Sequence, residues 1–173
     1  DKNSIVVGKL NETVGNVESG VLGLSNTMTE DKQTLVLGTS NVTKKNTNTV
    51  VFGNTQDVSG GMNLLVSGKD HEIRNGLNNV IFGNNNTKLN TTNSLVSGKG
   101  NNEEKGYYNV VFGINNKVYD SSANIVSGID NDLSNNRYSG VIGNTHNILS
   151  SDQVFTSGYN NTIDNSLQSS SFG

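Results

Sequence analysis

Short apolar runs recur along the chain at a constant spacing of 15 residues, and a glycine follows each run. The three residues before the glycine are mostly Val, Leu, Ile or Phe, as in Val50-Val51-Phe52 and Val80-Ile81-Phe82. Runs of four or five such residues, bounded by Asn and Gly, are too short for helices and are typical of β-strands. The pattern therefore predicts one strong strand in every 15-residue unit.

The glycines that follow these runs form a single column without insertion or deletion. The column consists of Gly8, Gly23, Gly38, Gly53, Gly68, Gly83, Gly98, Gly113, Gly128, Gly143, Gly158 and Gly173. A fixed period of this kind is the signature of stacked structural repeats. We expect an all-β parallel solenoid of about twelve 15-residue rungs, forming one domain over residues 1–173, in which the glycine ends the strand and marks a corner.

Two more columns complete the unit. Three residues after the glycine stands a polar residue, usually Asn, as at Asn41, with His71 and His146 as replacements. Stacked amides can bond along the axis as a ladder, so this column is expected to form a corner. Two residues further on lies a weaker apolar column that includes Val58 and Ile73. It predicts a second strand with one buried face and one wet face.

Two charged residues interrupt the weaker apolar column in adjacent rungs. Lys88 and Glu103 stand where the other rungs carry mainly apolar residues. We expect a one-residue shift to bring Leu89 into the place of Lys88. Glu103 is followed by Glu104 and Lys105, so no apolar residue can replace it in the same way. The stretch from Gly98 to Tyr108 is therefore predicted to be the least regular part of the array.

The strong strand is apolar on both faces. Val or Ile stands two residues before the glycine and predicts a narrow buried slot, and its two neighbours point to the opposite face. That second face is apolar too. In a single roll, the apolar burial of each rung contributes less free energy than the backbone entropy of that rung costs. We expect other copies of the chain to cover it. The residues expected at the centre of that contact are Val7, Leu22, Leu37, Phe52, Phe82, Phe112 and Ile142.

Composition alone would suggest disorder, because the chain is 31% hydrophobic, carries a net charge of −3 and contains 31 Asn residues. The fixed apolar columns argue against disorder, because stacking of the repeats can bury them. The charge argues against nucleic-acid binding. His71 and His146 stand five rungs apart, too far to share a metal or a substrate. No nucleophile stands beside a base in a recognisable motif, so we expect no enzymatic activity, no cofactor and no metal.

Aromatic residues cluster in the second half of the chain, where they form the candidate ligand-binding set. The set consists of Tyr107, Tyr108, Tyr119, Arg137 and Tyr138. Exposed Tyr and Arg side chains are frequent anchors of protein interfaces, so one interpretation is a receptor-binding patch. The other is that the rings cover turns or the seams between subunits. The sequence leaves both open.

The column pattern resembles that of a known family. Asn3-Ser4-Ile5-Val6-Val7-Gly8, followed by Asn11, Val14 and Gly15, and again Asn93-Ser94-Leu95-Val96-Ser97-Gly98, are similar to the head repeat of YadA-like trimeric autotransporter adhesins. The similarity covers all twelve glycine rungs. It implies a left-handed parallel β-roll and a homotrimer in which the residues named above form the trimer core.

The same resemblance implies a function. It implies that the chain is the head-domain fragment of a longer virulence protein, displayed at the bacterial cell surface and anchored in the outer membrane through a C-terminal region. The implied partner is a host protein, either an epithelial receptor such as a carcinoembryonic-antigen-related adhesion molecule or a matrix protein. We expect no membrane contact by the fragment itself.

Two other functions fit a regular solenoid. The chain could be a rigid structural spacer that displays another domain. It could also bind ice or another crystal, although that activity requires a flat array of repeated side chains, and the residues that follow the glycines vary, as at Lys9, Leu24 and Thr39. Binding by the isolated fragment separates a spacer from an adhesin.

Overall fold

The computed structural model describes all 173 residues and shows an all-β parallel solenoid of eleven complete turns. Each 15-residue turn contains a long strand, a short strand and one bridging residue, so the turn has three sides. Every pairing joins a residue to the residue 15 positions later, as Val80 pairs with Leu95. The predicted solenoid and its 15-residue register are confirmed. No helix is long and apolar enough to cross a bilayer.

Twelve strands stack into one parallel sheet, called here the long-strand sheet. They are β1 (Ile5–Lys9), β3 (Gly20–Leu24), β5 (Leu35–Thr39), β7 (Val50–Asn54), β9 (Leu65–Lys69), β11 (Val80–Asn84), β13 (Leu95–Lys99), β15 (Val110–Ile114), β17 (Ile125–Ile129), β19 (Gly140–Asn144), β21 (Phe155–Tyr159) and β23 (Ser170–Phe172).

Eleven three-residue strands form a second parallel sheet, the short-strand sheet. They are β2 (Glu12–Val14), β4 (Thr27–Thr29), β6 (Val42–Lys44), β8 (Asp57–Ser59), β10 (Glu72–Arg74), β12 (Thr87–Leu89), β14 (Asn102–Glu104), β16 (Lys117–Tyr119), β18 (Asp132–Ser134), β20 (Asn147–Leu149) and β22 (Thr162–Asp164). This sheet corresponds to the second strand that the weaker apolar column predicts.

The third side is a column of single residues joined by isolated parallel bridges. It runs from Lys2, which pairs with Val17, to Asp152, which pairs with Leu167. One residue per turn is too short to show alternation between polar and apolar positions, so the sequence pattern predicts only a return turn here. This bridge column carries outward side chains along the whole molecule.

Each turn has three corners, and the residue at each corner has a left-handed backbone. In the first turn these residues are Leu10, Gly15 and Glu18, with φ angles of 57°, 70° and 52°. The residue that follows the corner turns inward, as Asn26 does after Ser25. The predicted Asn corner is therefore wrong by one position, because the Asn column lies buried behind the corner and Ser25 forms it.

The glycine column also differs from its prediction. Gly68 lies inside β9 and does not end the strand at a corner. Its φ is +137°, and an added Cβ would lie 1.8 Å from the carbonyl oxygen of Gly83 in the next turn. Glycine is required here because successive turns approach each other at a point where a side chain would collide with backbone.

The interior is built from the two predicted apolar columns. The Val and Ile slot two residues before the glycine is exposed at Val6 in the first turn and buried in the following turns, at Val21, Val36, Val51, Val66, Ile81, Val96, Val111, Val126 and Val141. The buried apolar side chains form two clusters, one within residues 21–81 and the other within residues 96–163. Both lie inside the roll, which confirms the narrow slot.

Lys88 and Glu103 lie between the apolar side chains of the two clusters in the short-strand column. Lys88 stays in register, pairs directly with Ile73 and Glu103, and points inward. Both charged side chains have 0% exposure, and Lys88 Nζ lies 2.9 Å from Glu103 Oε2. The predicted shift to Leu89 is wrong, as is the predicted irregularity from Gly98 to Tyr108. The two opposite charges lie in adjacent turns and compensate each other.

Candidate functional site

The bridge column and the corner beside it place four of the five predicted ligand residues side by side. Tyr107 pairs with Ser122, which pairs with Arg137, so Tyr107 and Arg137 lie two turns apart on the bridge column. At the next corner Tyr108 and Tyr138 are likewise two turns apart. Strands in adjacent turns are about 4.8 Å apart, so each pair is separated by about 10 Å.

Small residues occupy the turn between these large side chains. At the corner, Ala123 separates Tyr108 from Tyr138. Beside it, Ser121 and Ser122 form the floor of a groove between Tyr107 and Arg137. We call it the Tyr–Arg groove. At the bridge column it encloses about 310 Å³, and its lining residues there are Lys105, Tyr107, Asp120, Ser121, Ser122, Asn135 and Arg137.

The tyrosine rings at the groove and at the adjoining corner are open to solvent. Tyr107, Tyr108 and Tyr138 are 50%, 64% and 66% exposed. Rings that covered a turn in this single chain would be mostly buried. Tyr108 and Tyr138 also have left-handed φ angles of 58° and 55°, where bulky residues are rare and cost about 1 to 3 kcal/mol. Asn63 and Asn78 fill the same corner in earlier turns without that penalty.

Charged groups at the groove are already held in place by neighbours. Arg137 Nε lies 3.3 Å from Asp152 Oδ1. Lys105 Nζ donates a hydrogen bond of 2.9 Å to Tyr119 Oη, and this bond raises the pKa of Lys105. The mouth therefore presents two fixed cations and, from Asp120, one anion. Such a surface combines flat aromatic contact with charge-assisted hydrogen bonding.

The fifth predicted residue, Tyr119, lies outside the walls. It ends the short strand β16 and faces outward around the corner from the groove. Its contact with Lys105 gives it a positioning role. Sequence reasoning missed Lys105 and Asp120, together with the groove floor at Ser121 and Ser122 and the corner residue Ala123. The signal for the floor was a run of three small residues, of which Ser122 and Ala123 are flanked 15 positions away on both sides by Tyr or Arg.

The two histidines belong to the buried polar ladder, as predicted. His71 Nδ1 accepts a hydrogen bond of 3.1 Å from the backbone N–H of Asn86, and Nε2 lies 3.2 Å from the carbonyl oxygen of Ser67. His146 makes the equivalent contact with the N–H of Asn161. Burial lowers the pKa of His71, which favours the neutral ring that this pattern requires. Both histidine side chains therefore belong to the hydrogen-bonded ladder between turns.

A larger surface cavity of about 530 Å³ lies at the corner between the long and short strands. Its lining residues are Gly100, Asn102, Asn115, Lys117, Asp130, Asn131 and Asp132. The side chain of Asn131 is committed to the ladder through bonds to Asn116 and Gly143. No aromatic side chain faces this cavity, so the Tyr–Arg groove remains the stronger candidate.

The residues predicted as the trimer core all lie on the outer face of the long-strand sheet. Phe52, Phe82 and Phe112 are 39%, 39% and 40% exposed in the single chain, and serines separate them in alternate turns. Val7, Leu22, Leu37 and Ile142 continue the same row. With the half-buried apolar residues two positions earlier, such as Val50 and Val80, they form an outward apolar face that serines interrupt in alternate turns.

Comparison with known proteins adds no family assignment. No family model matches the chain, and no curated protein matches it. Among solved structures, a crystal structure of the polysialic-acid-specific acetyltransferase NeuO aligns with 13% identity over 99% of this chain and 84% of its own length, with a TM-score of 0.18. A score this low carries no argument about fold or activity.

Proposed function

We propose that this chain is the head of a bacterial cell-surface adhesin that binds a host protein through the Tyr–Arg groove. The observation that carries the proposal is that exposed Tyr107 and Arg137 form the walls of one groove, with exposed Tyr108 and Tyr138 at the adjoining corner. Exposed Tyr and Arg side chains provide most of the binding energy in many protein interfaces. The proposed partner is an epithelial receptor of the carcinoembryonic-antigen-related class or a matrix protein.

The assembly that fits this role is a homotrimer of left-handed rolls joined through the exposed face of the long-strand sheet. The partly exposed Phe52, Phe82 and Phe112 support it, because a large apolar patch on a protein surface marks an interaction site. The proposed location is the outer surface of the cell, with the anchor in a C-terminal region beyond this sequence. Binding, and not turnover of a substrate, suits the aromatic and cationic groove.

Binding measurements on two groove variants test the host-protein proposal. The purified chain would capture host surface proteins from epithelial membranes, and the affinity for the captured protein would then be measured. Tyr108→Ala and Tyr138→Ala should each weaken binding by about 30-fold or more, the loss expected for an interface anchor worth about 2 kcal/mol. Tyr159→Ala is the matched control, because Tyr159 is 66% exposed but lies outside the groove.

The possible results separate the candidate functions. Unchanged affinity in both groove variants would remove the groove as the binding site. A chain that captures no host protein would favour the rigid spacer, and inhibition of ice recrystallisation would favour the crystal-binding alternative. The oligomeric state is tested by light scattering, where Phe82→Asp should yield monomers and the corner control Asn85→Asp should not.

A further inference from the structure

The interior contains one group of ionisable side chains that the proposed function does not use. Lys88 and Glu103 are the buried lysine and the buried glutamate of this chain, and both are fully enclosed. Their contact of 2.9 Å lacks hydrogen-bond geometry, and neither Lys88 Nζ nor Glu103 Oε2 has another polar partner. Desolvation lowers the pKa of Lys88, which favours the neutral and nucleophilic amine.

The second oxygen of the same carboxyl group contacts a buried amide. Asn109 Nδ2 donates to Glu103 Oε1 at 2.9 Å and to the carbonyl oxygen of Ser121 at 2.9 Å. Glu103 therefore lies between the amine of Lys88 and the amide nitrogen of Asn109. A carboxyl group in this position can take a proton from one nitrogen and deliver it to the other.

The carbonyl oxygen of the Asn109 side chain is also held by two donors. The backbone N–H of Asn124 donates to Asn109 Oδ1 at 3.0 Å, and Asn124 Nδ2 donates to it at 3.2 Å. Two fixed donors on one oxygen polarise the carbonyl and stabilise the negative charge that an attacking nucleophile would place on it. Asn109 and Asn124 are themselves fully buried, so water does not compete.

We propose that Lys88 and Asn109 form an intramolecular isopeptide bond, with Glu103 as the catalytic proton relay and Asn124 as the oxyanion donor. The amine and the amide contact two oxygens of one carboxyl group. The bond requires a rotation of the lysine side chain that carries Nζ from Glu103 Oε2 to Asn109 Cγ. The bond would join adjacent turns of the roll at the point where the two apolar clusters meet.

The reaction balances without an external reagent. Lys88 first gives a proton to Glu103, and the neutral Nζ attacks Asn109 Cγ. Glu103 delivers that proton to Asn109 Nδ2. The attacking Lys88 Nζ then gives a second proton to the Glu103 carboxylate. The Cγ–Nδ2 bond breaks, ammonia leaves with the bonding electron pair and takes up the remaining proton, and the amide carbonyl reforms. The products are one secondary amide and one ammonium ion.

Intact-mass spectrometry of the full chain under denaturing conditions tests the proposal. The expected mass is lower than the sequence mass by about 17 Da, the loss of one ammonia. After digestion, one branched peptide should contain both Lys88 and Asn109. A chain that keeps its full sequence mass after prolonged incubation at 37 °C would overturn the proposal. A loss of about 18 Da with a Lys88–Glu103 link would overturn the assignment of Asn109 as the electrophile.

Three variants identify the participants. Glu103→Gln keeps the side-chain shape but cannot relay a proton, and Asn109→Ser introduces a residue that the preceding turn already accommodates at Ser94. Both should keep their full sequence mass. Lys117→Met, which removes an exposed lysine, should still lose ammonia. The mass of the natural chain tests the proposal without any variant, so a variant that fails to fold does not affect that test. Receptor binding is a separate property, so its absence leaves this test unaffected.

Discussion

Alanine in the glycine column should be one of the most damaging small substitutions in this protein. In Gly68→Ala the new Cβ would lie 1.8 Å from the carbonyl oxygen of Gly83, at a φ of +137°. The unusual backbone conformation costs about 1 to 3 kcal/mol for a residue with a side chain. Relieving the collision by moving a packed turn costs about another 1 to 3 kcal/mol. We therefore expect a loss of about 2 to 6 kcal/mol.

A corner glycine provides the control. An added Cβ on Gly15 would meet atoms of Glu30 only at ordinary contact distances, the nearest being Cγ at 3.5 Å, and the residues at this corner in other turns also have positive φ angles. Gly15→Ala should cost about 1 kcal/mol, from the backbone conformation alone. The difference between the two variants therefore measures the collision between turns.

The comparison requires urea denaturation followed by circular dichroism, together with amide hydrogen exchange. Because a solenoid can open in parts, exchange rates in β9 and β11 locate the damage more directly than a single midpoint. If Gly68→Ala does not fold, Gly158→Ala offers a second test, with its added Cβ 1.9 Å from the carbonyl oxygen of Gly173. Equal stabilities for Gly68→Ala and Gly15→Ala, within about 0.5 kcal/mol, would refute the proposed reason for the column.

Three further predictions concern the buried polar ladders. Because the pKa of His71 is lowered in the folded chain, its unfolded form binds more protons below about pH 6.5, so stability should fall as the pH drops. His71→Asn should remove up to about 2 kcal/mol of that loss at pH 5, measured by urea denaturation at several pH values. Burial raises the pKa of Asp31, so its carboxylate costs stability at pH 7 and not below about pH 4. Asp31→Asn should therefore raise the thermal midpoint at pH 7 only, and an equal rise at pH 3.5 would contradict this cause. Asn116→Leu should cost about 2 to 4 kcal/mol, since it leaves the N–H of Asn131 without its acceptor and removes one hydrogen bond to the carbonyl of Gly128, while the exposed Asn115→Asp should change stability little.

The sequence predicted the parts of the fold that repeat with a chemical preference. The Val and Ile column, the glycine spacing and the second apolar column identified two of the three sides, because burial selects the same side-chain type in every turn. The bridge column was not predicted, because its single residue per turn points outward and burial does not require the same side-chain type in every turn. Residues as different as Lys2, Met62 and Tyr107 occupy it.

The wrong predictions have a common cause. Lys88 looked like a break in the second column because its partner, Glu103, is 15 residues away and contact between turns is not visible along the chain. The Gly column looked like a corner because glycine is frequent in turns, whereas here it is required by the carbonyl of the next turn. The groove could not be predicted from the sequence for the same reason, because its floor and its two walls come from three different turns.

The uniform pairing of each residue with the one 15 positions later has an evolutionary consequence. Loss or gain of a few residues would move every later side chain off its column, so the viable length changes are whole units of 15 residues. Recombination between similar turns could therefore lengthen or shorten the molecule in steps of about 4.8 Å while leaving both ends intact. A crossover that separated Lys88 from Glu103 would leave one buried charge alone, so these two turns should be inherited together.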